Sequence, residues 1–347
     1  MAKPDQTQVT EANVPSEMAV TAKHPAPAPA PARRGLGFGL QFRFAAIWVA
    51  LALLLLACAV FLPRSVAPGT LMSIIPFAAF LTIAAMGQAI VIMGRGIDLS
   101  VPAIVALTCS VLLGVSEGSD DRLLLAVAVA LAVAVVVGAV NGVLIAVLKL
   151  NALIVTLAVG AVTTGVNLWY RKSLAAESKV PPALADLGSA RLFGIPSSVW
   201  LAVVILVVIT VLLRKTVIGR RFEAVGANPR AAYATGVEIL RYQAGAYIVA
   251  ALLYGMMSLL LAGFIRNPTQ DVGAAYLLAP IAAAVLGGTA ISGGIGSMVA
   301  VAGAALFLVQ LDQSLKMLGL PTSNQMVLQG IAIAAGMYLS EWTSKRR

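Results

Sequence analysis

From Ala45 almost to the end of the chain, apolar stretches about as long as a bilayer is thick follow one another, with only short polar breaks between them. Crossing roughly 30 Å of hydrocarbon takes about 20 helical residues, and in lipid every backbone N–H and C=O must be satisfied without water. The stretches run over roughly 45–62, 72–93, 101–115, 123–148, 151–170, 199–213, 242–265, 277–287, 297–315 and 323–340. They predict an all-α fold, a polytopic transmembrane helical bundle of about 10 spans, over residues 45–341. Charge supports this: 11% of the 347 residues are charged, against about 25% in a soluble domain.

Several chemistries are excluded. The single histidine, His24, lies in a Pro/Ala tract, so imidazole bases, histidine metal ligands and histidine proton relays have no support. Cys58 and Cys109 sit inside apolar runs and suggest neither a disulfide framework nor a zinc site. No cofactor, no metal and no enzymatic activity are expected. A phosphate-binding Gly-x-x-x-x-Gly-Lys-Ser/Thr string is absent, so any ATP that drives this chain is hydrolysed by a partner. The net charge of +10 comes from basic residues that punctuate apolar runs, which argues for membrane topology signals and against nucleic acid.

Residues 1–44 hold a repeat of alternating Pro and Ala from Pro25, followed by Arg33 and Arg34. Such a tract favours extended polyproline and builds no core, so it reads as a disordered cytoplasmic tail. An even number of spans places both termini on one side, and two thirds of the 24 basic residues fall on that side. The positive-inside rule makes it the cytoplasm. On the other side, Trp169 and Tyr170 suggest an interfacial aromatic belt, and the long segment 171–198 suggests a surface that receives a periplasmic protein.

Two spans are short, 101–115 and 277–287, and each adjoins a Gly-rich break: Gly94–Ser100 and Gly287–Ser297. Irregular backbone at membrane depth is tolerated where protein covers it or where it lines a watery cavity. The candidate pathway residues are therefore Gly96, Asp98, Ser100, Asn141, Thr289 and Ser292. Each has a structural alternative. Asp98 or Ser100 caps the helix that begins at Val101, or Asp98 pairs with Arg95, or it meets a polyol. Asn141 lies within Gly138-x-x-x-Gly142, a frame for close helix contact across which its amide bonds. Thr289 and Ser292 belong to a hinge or offer hydroxyls to a solute.

The inner loop, 214–241, carries the clearest local signal. Asn228 followed by Pro229 starts a helix, the Asn capping free donors and the Pro losing no hydrogen bond. Gly236 stops it, so a short stiff helix over 229–235 stands outside the bilayer. It is either an interfacial helix on anionic lipid or, as its small-residue face favours, a docking element that transmits motion from a cytoplasmic partner.

With this loop, the strings Gly96-Ile-Asp-Leu-Ser-Val101, Gly138-Ala-Val-Asn-Gly-Val-Leu-Ile145 with Thr156-Leu157 after it, and Gly287-Gly-Thr-Ala-Ile-Ser-Gly-Gly294 occur in one order. In this the chain resembles the permease subunit of ribose/xylose/arabinose-type ABC importers, over about residues 45–341. The resemblance implies a bacterial inner-membrane importer. Two permease chains, identical or different, would form the path; a periplasmic solute-binding protein would deliver a pentose or hexose; cytoplasmic ABC ATPase subunits would engage the inner loop. It also implies that Glu223, Asn228, Pro229, Arg230, Ala231, Ala232 and Gly236 belong to the ATPase-coupling segment. Two departures are Pro102-Ala103 where the family continues Gly-Ser, and Arg95 where it carries a small residue. A nucleoside or quorum-sensing solute remains an alternative, as does an ion-coupled carrier using Asp98 and Asp312.

Overall fold

The computed structural model describes residues 36–174 and 178–321, together with the helical residues Asn324, Val327, Gly330, Ile331 and Ala334. The Pro/Ala tract and most of the tenth apolar stretch lie outside the described residues. The helices in order are α1 (Leu36–Phe61), α2 (Pro68–Met93), α3 (Val101–Ser116), α4 (Leu123–Ala146), α5 (Ala152–Lys172) and α6 (Pro182–Ser189). There follow α7 (Ser197–Lys215), α8 (Val217–Ala227), α9 (Pro229–Ala234), α10 (Ile239–Ile265), α11 (Ala279–Leu286) and α12 (Met298–Met317). Among the described residues, α1, α2, α4, α5, α7, α10 and α12 are long and apolar enough to cross a membrane. The chain is an all-α, multi-pass membrane protein.

Local chemistry starts the helices where the sequence implies. Pro68, Pro182 and Pro229 stand in first turns, where a missing N–H costs nothing. Asn151 Oδ1 accepts from Leu153 N at 2.9 Å and Ser297 Oγ from Ala300 N at 3.4 Å, capping α5 and α12. Packing then sorts the helices by composition. The second half of α2 is apolar but for Thr82 and Gln88 and is buried all round, which is the expected fate of such a helix. By contrast α1, α4, α5 and α7 each turn large apolar side chains outward, Leu53, Leu124, Ile154 and Val204 among them.

On its inner face α4 presents Ala126, Ala130, Ala134, Gly138, Gly142 and Ala146, a row at four-residue spacing. It lies against α10 so closely that a Cβ on Gly138 would come 2.5 Å from Ala251 Cβ, and one on Gly142 would come 2.7 Å from Ala244 O. The Gly-x-x-x-Gly frame is thus a helix contact, as expected.

Among the described residues of the segment 171–198 there is regular structure. In it α6 packs Leu184 and Gly188 on Gly263 of α10, and Arg191–Leu192 pairs antiparallel with Ile195–Pro196. Trp169 is exposed, as a belt residue should be. Tyr170 is half-buried, its hydroxyl lying over Gly114 of α3. Between Ile265 and Met298 the chain never forms a full span. A 3-10 turn (Ala274–Tyr276) and the eight-residue α11 replace it. From α5, Asn167 Nδ2 donates to Gln270 O at 3.1 Å and Arg171 Nη2 donates to Pro268 O, holding this segment in place.

Candidate functional site

Where α2 ends, Gly94 N and Gly96 N still bond back to Ile90 O and Val91 O, and Arg95 takes up a left-handed φ of 70°. The extended backbone beyond would be costly without partners. Gln88, a polar residue in the buried half of α2, supplies them. In the amide orientation that satisfies every neighbour, it donates to Asp98 O and to Tyr254 Oη and accepts from Asp98 N, each at 3.1 Å. Thr156 Oγ1 of α5 accepts from Leu99 N at 3.0 Å and lies 3.3 Å from Ile97 O.

Asp98 is completely buried, and neither expectation of a cap nor of an Arg95 pair holds. Its Oδ1 accepts from Ser100 N at 2.8 Å and Ser100 Oγ at 2.6 Å, closing a local turn. Ser100 in turn makes no side-chain bond to the first turn of α3; its hydroxyl donates to Asp98. Asn141 does not bond across to α10; its Nδ2 donates to Ser100 Oγ at 2.9 Å. The structure therefore joins Asp98, Ser100 and Asn141 in one buried chain. Asp98 Oδ2, Asn141 Oδ1 and Tyr247 Oη have no partner among the described residues. Gly96 lies beneath Tyr247, where a Cβ would fall 2.0 Å from the hydroxyl.

The second break closes on itself. Gly288, Gly293 and Gly294 adopt positive φ, and Ala290 N donates to Ile295 O and Gly293 N to Ala290 O, both at 2.9 Å. Within it Thr289 is buried with its hydroxyl unpartnered among the described residues, and Ser292 is exposed. The two are apart from the Asp98 chain. The breaks nevertheless touch: Gly294 N donates to Met93 O at 2.9 Å.

The inner loop contains the expected helix, α9. Asn228 Oδ1 accepts from Ala231 N at 3.1 Å, Pro229 opens the first turn, and Gly236 at φ 79° ends the segment. Ala232 is buried, while Arg230, Ala231 and Tyr233 face outward. Sequence reasoning missed α8. Its signals were Thr216, whose hydroxyl caps Gly219 N at 3.2 Å, and the apolar spacing of Ile218, Phe222 and Val225. Glu223 sits half-buried on α8, where burial pushes its carboxyl above the usual carboxylate range and the Arg214 guanidinium opposes that shift.

Loop and breaks meet at one junction. Arg95 donates from Nε to Gly226 O at 2.6 Å and from Nη2 to Ala227 O at 2.7 Å, a cation on the C-terminal carbonyls of α8. Gly226 packs so tightly there that a Cβ would meet Met93 O at 2.1 Å and Gly294 N at 2.7 Å. Chain segments 131 residues apart are thus pinned together one residue before the cap of α9.

A family model described as the permease component of the branched-chain amino acid transport system matches residues 70–336. The L-arabinose transport system permease protein AraH of Escherichia coli K12 is 30% identical, over 84% of this chain and 88% of the relative. The ribose import permease protein RbsC of Bacillus subtilis is 33% identical, over 81% of this chain and 87% of the relative. The autoinducer 2 import system permease protein LsrC of Escherichia coli O9:H4 is 31% identical, over 79% of this chain and 80% of the relative. No solved structure matches the chain.

Proposed function

This chain belongs to the family described as the permease component of the branched-chain amino acid transport system, and from that premise we propose that it is the membrane-spanning subunit of an ATP-driven, binding-protein-dependent importer of a monosaccharide. The observation that carries this reading is the Arg95 junction. A motor that acts on the exposed face of α9 moves α8, and the Arg95 and Gly226 contacts pass that movement to both interrupted helices at once. Without such a connection, an ATPase docked outside the bilayer has no purchase on the path within it.

In this reading Arg230, Ala231 and Tyr233 meet the ATPase, with Asn228, Pro229 and Gly236 fixing the shape they present. Glu223 acts through α8. The solute path is walled by the two breaks: Gly96, Asp98, Ser100 and Asn141 brace the first, and Thr289 and Ser292 lie in the second. About ten spans with both ends cytoplasmic, a second permease chain across the path and a periplasmic binding protein at the α6 end complete an alternating-access importer of the bacterial inner membrane. Arabinose and ribose in the names of two relatives support a pentose. The autoinducer 2 relative, at similar identity, supports a quorum-sensing solute as the second reading.

The test is reconstitution in liposomes with the cognate ATPase and binding protein. ATP-dependent uptake of labelled pentose is expected, with none by the chain alone. Uptake by the chain alone on a proton gradient would overturn the proposal. Cysteine placed at Ala231 is expected to label only from the cytoplasmic side.

A further inference from the structure

A crevice of about 400 Å3 opens on the flank of the bundle where α7 ends and α10 begins. Its floor is formed by Ile90, Ile209, Leu213, Phe222 and Ala246, all buried. Leu212, Ile218 and Val249 stand exposed at its mouth. Because Arg241 and Val249 both line it, it extends about 12 Å along α10. Its outer lip continues into Val204, Val208 and Val211, an exposed apolar row of α7 that in a multi-pass membrane protein faces acyl chains.

The polar end of the crevice has the opposite character. Arg221 and Arg241 line it from α8 and α10. Glu238 engages Arg241 at 2.5 Å, whereas Arg221 shows no ion pair among the described residues. Arg214, Lys215 and Arg220 lie on the adjoining turns, so five cations face two acids, Glu223 and Glu238. A slot that is apolar along its length and cationic at the level where the spans end matches one ligand class. An acyl chain fills the slot, and a phosphodiester meets the guanidinium groups.

We propose that this crevice binds one anionic phospholipid, whose acyl chain lies between α7 and α10 and whose phosphate ties Arg221 of α8 to Arg241 of α10. The site requires only a lipid-embedded chain, so it stands apart from the transport reading. It would make the position of α8 sensitive to the anionic lipid content of the membrane.

The experiment uses the full chain in nanodiscs of phosphatidylcholine doped with phosphatidylglycerol that carries a photoreactive acyl chain. Cross-links are expected on the α7 and α10 residues of the slot, competed by unlabelled phosphatidylglycerol. They are expected to fall about tenfold in the R221Q/R241Q double variant. V249W, which fills the slot and leaves the cations in place, is expected to remove them as well. Equal labelling by a phosphatidylcholine analogue, labelling unchanged in R221Q/R241Q, or labelling unchanged in V249W would each overturn the proposal. Gel-filtration elution and helical circular dichroism identical to the parent chain verify that each variant is folded.

Discussion

Beyond Gly96 the first break is held mainly by side chains, Gln88 of α2 and Thr156 of α5, whereas between Gly287 and Ser297 the backbone is held mainly by its own amides. Gln88 and Thr156 answer the first break group by group, and Asp98 closes its turn. The second break uses glycines at positive φ and short backbone bonds; one backbone bond, Gly294 N to Met93 O, reaches the end of α2, and Gly293 and Gly296 pack against Arg95 and Met93. A backbone saturated by buried side chains resists rearrangement, because each lost bond leaves a desolvated polar group. A glycine turn bonded to itself can pivot with its bonds intact. On our proposal the first break is a brace and the second a joint, and the Arg95 junction lies between them.

Four substitutions break or sharpen that contrast. Gln88→Leu should do the most damage, because it strands both the N–H and the C=O of Asp98. The expected loss is about 2–6 kcal/mol, read as a collapse of thermal stability in detergent. Gly294→Val comes next. It forces a branched side chain to φ 77°, about 1–3 kcal/mol of backbone strain, and in addition brings a Cβ to 2.5 Å from Ala227 N. If the second break is the joint, reconstituted uptake should fall at least about tenfold while the variant still elutes as a folded chain. An unfolded Gly294→Val, or a fully stable Gln88→Leu, would remove the distinction.

Arg95→Ala should be milder for stability, about 1 kcal/mol, since one of its two bonds is exposed. Its mark should be on coupling: more ATP hydrolysed per solute imported, partly rescued by Arg95→Lys, which keeps the charge but not the fork. The smallest effect is expected from Glu223→Gln. Burial raises the Glu223 carboxyl in the folded chain, so its protonated form favours folding. That contribution is present below the ordinary carboxylate range and is lost as pH rises through the raised value. Glu223→Gln should flatten this slope in thermal unfolding scanned from pH 4 to 8, and a slope left unchanged would assign it elsewhere.

How much of this was legible beforehand depended on the range of the interaction. Asn228, Pro229 and Gly236 specify α9 within nine residues, and its cap and stop are where their chemistry demands. The Gly138 and Gly142 spacing likewise announced a close helix contact. Thr216 and the Ile218, Phe222, Val225 face were equally local, yet the reading of the inner loop stopped at the helix after Pro229. Gln88 was different. A lone amide in an apolar run has no meaning until Asp98 folds back beside it. Arg95 stood out as an unusual residue, but its partners at 226 and 227 are reachable only through the tertiary fold. The Asp98 cap failed for a short-range reason, since Ser100 is a nearer donor than the turn above it.

The seam of Ala and Gly between α4 and α10 has a consequence for how such chains diverge. It runs some 30 Å, and at Gly138 and Gly142 even a methyl group would push the two backbones apart. Only Gly fits at those two positions, whereas the outward side of the same helix, with Val136 and Val140 exposed, has room for larger apolar side chains. A chain that keeps those two glycines keeps the close approach of α4 to α10, whatever its outward face carries.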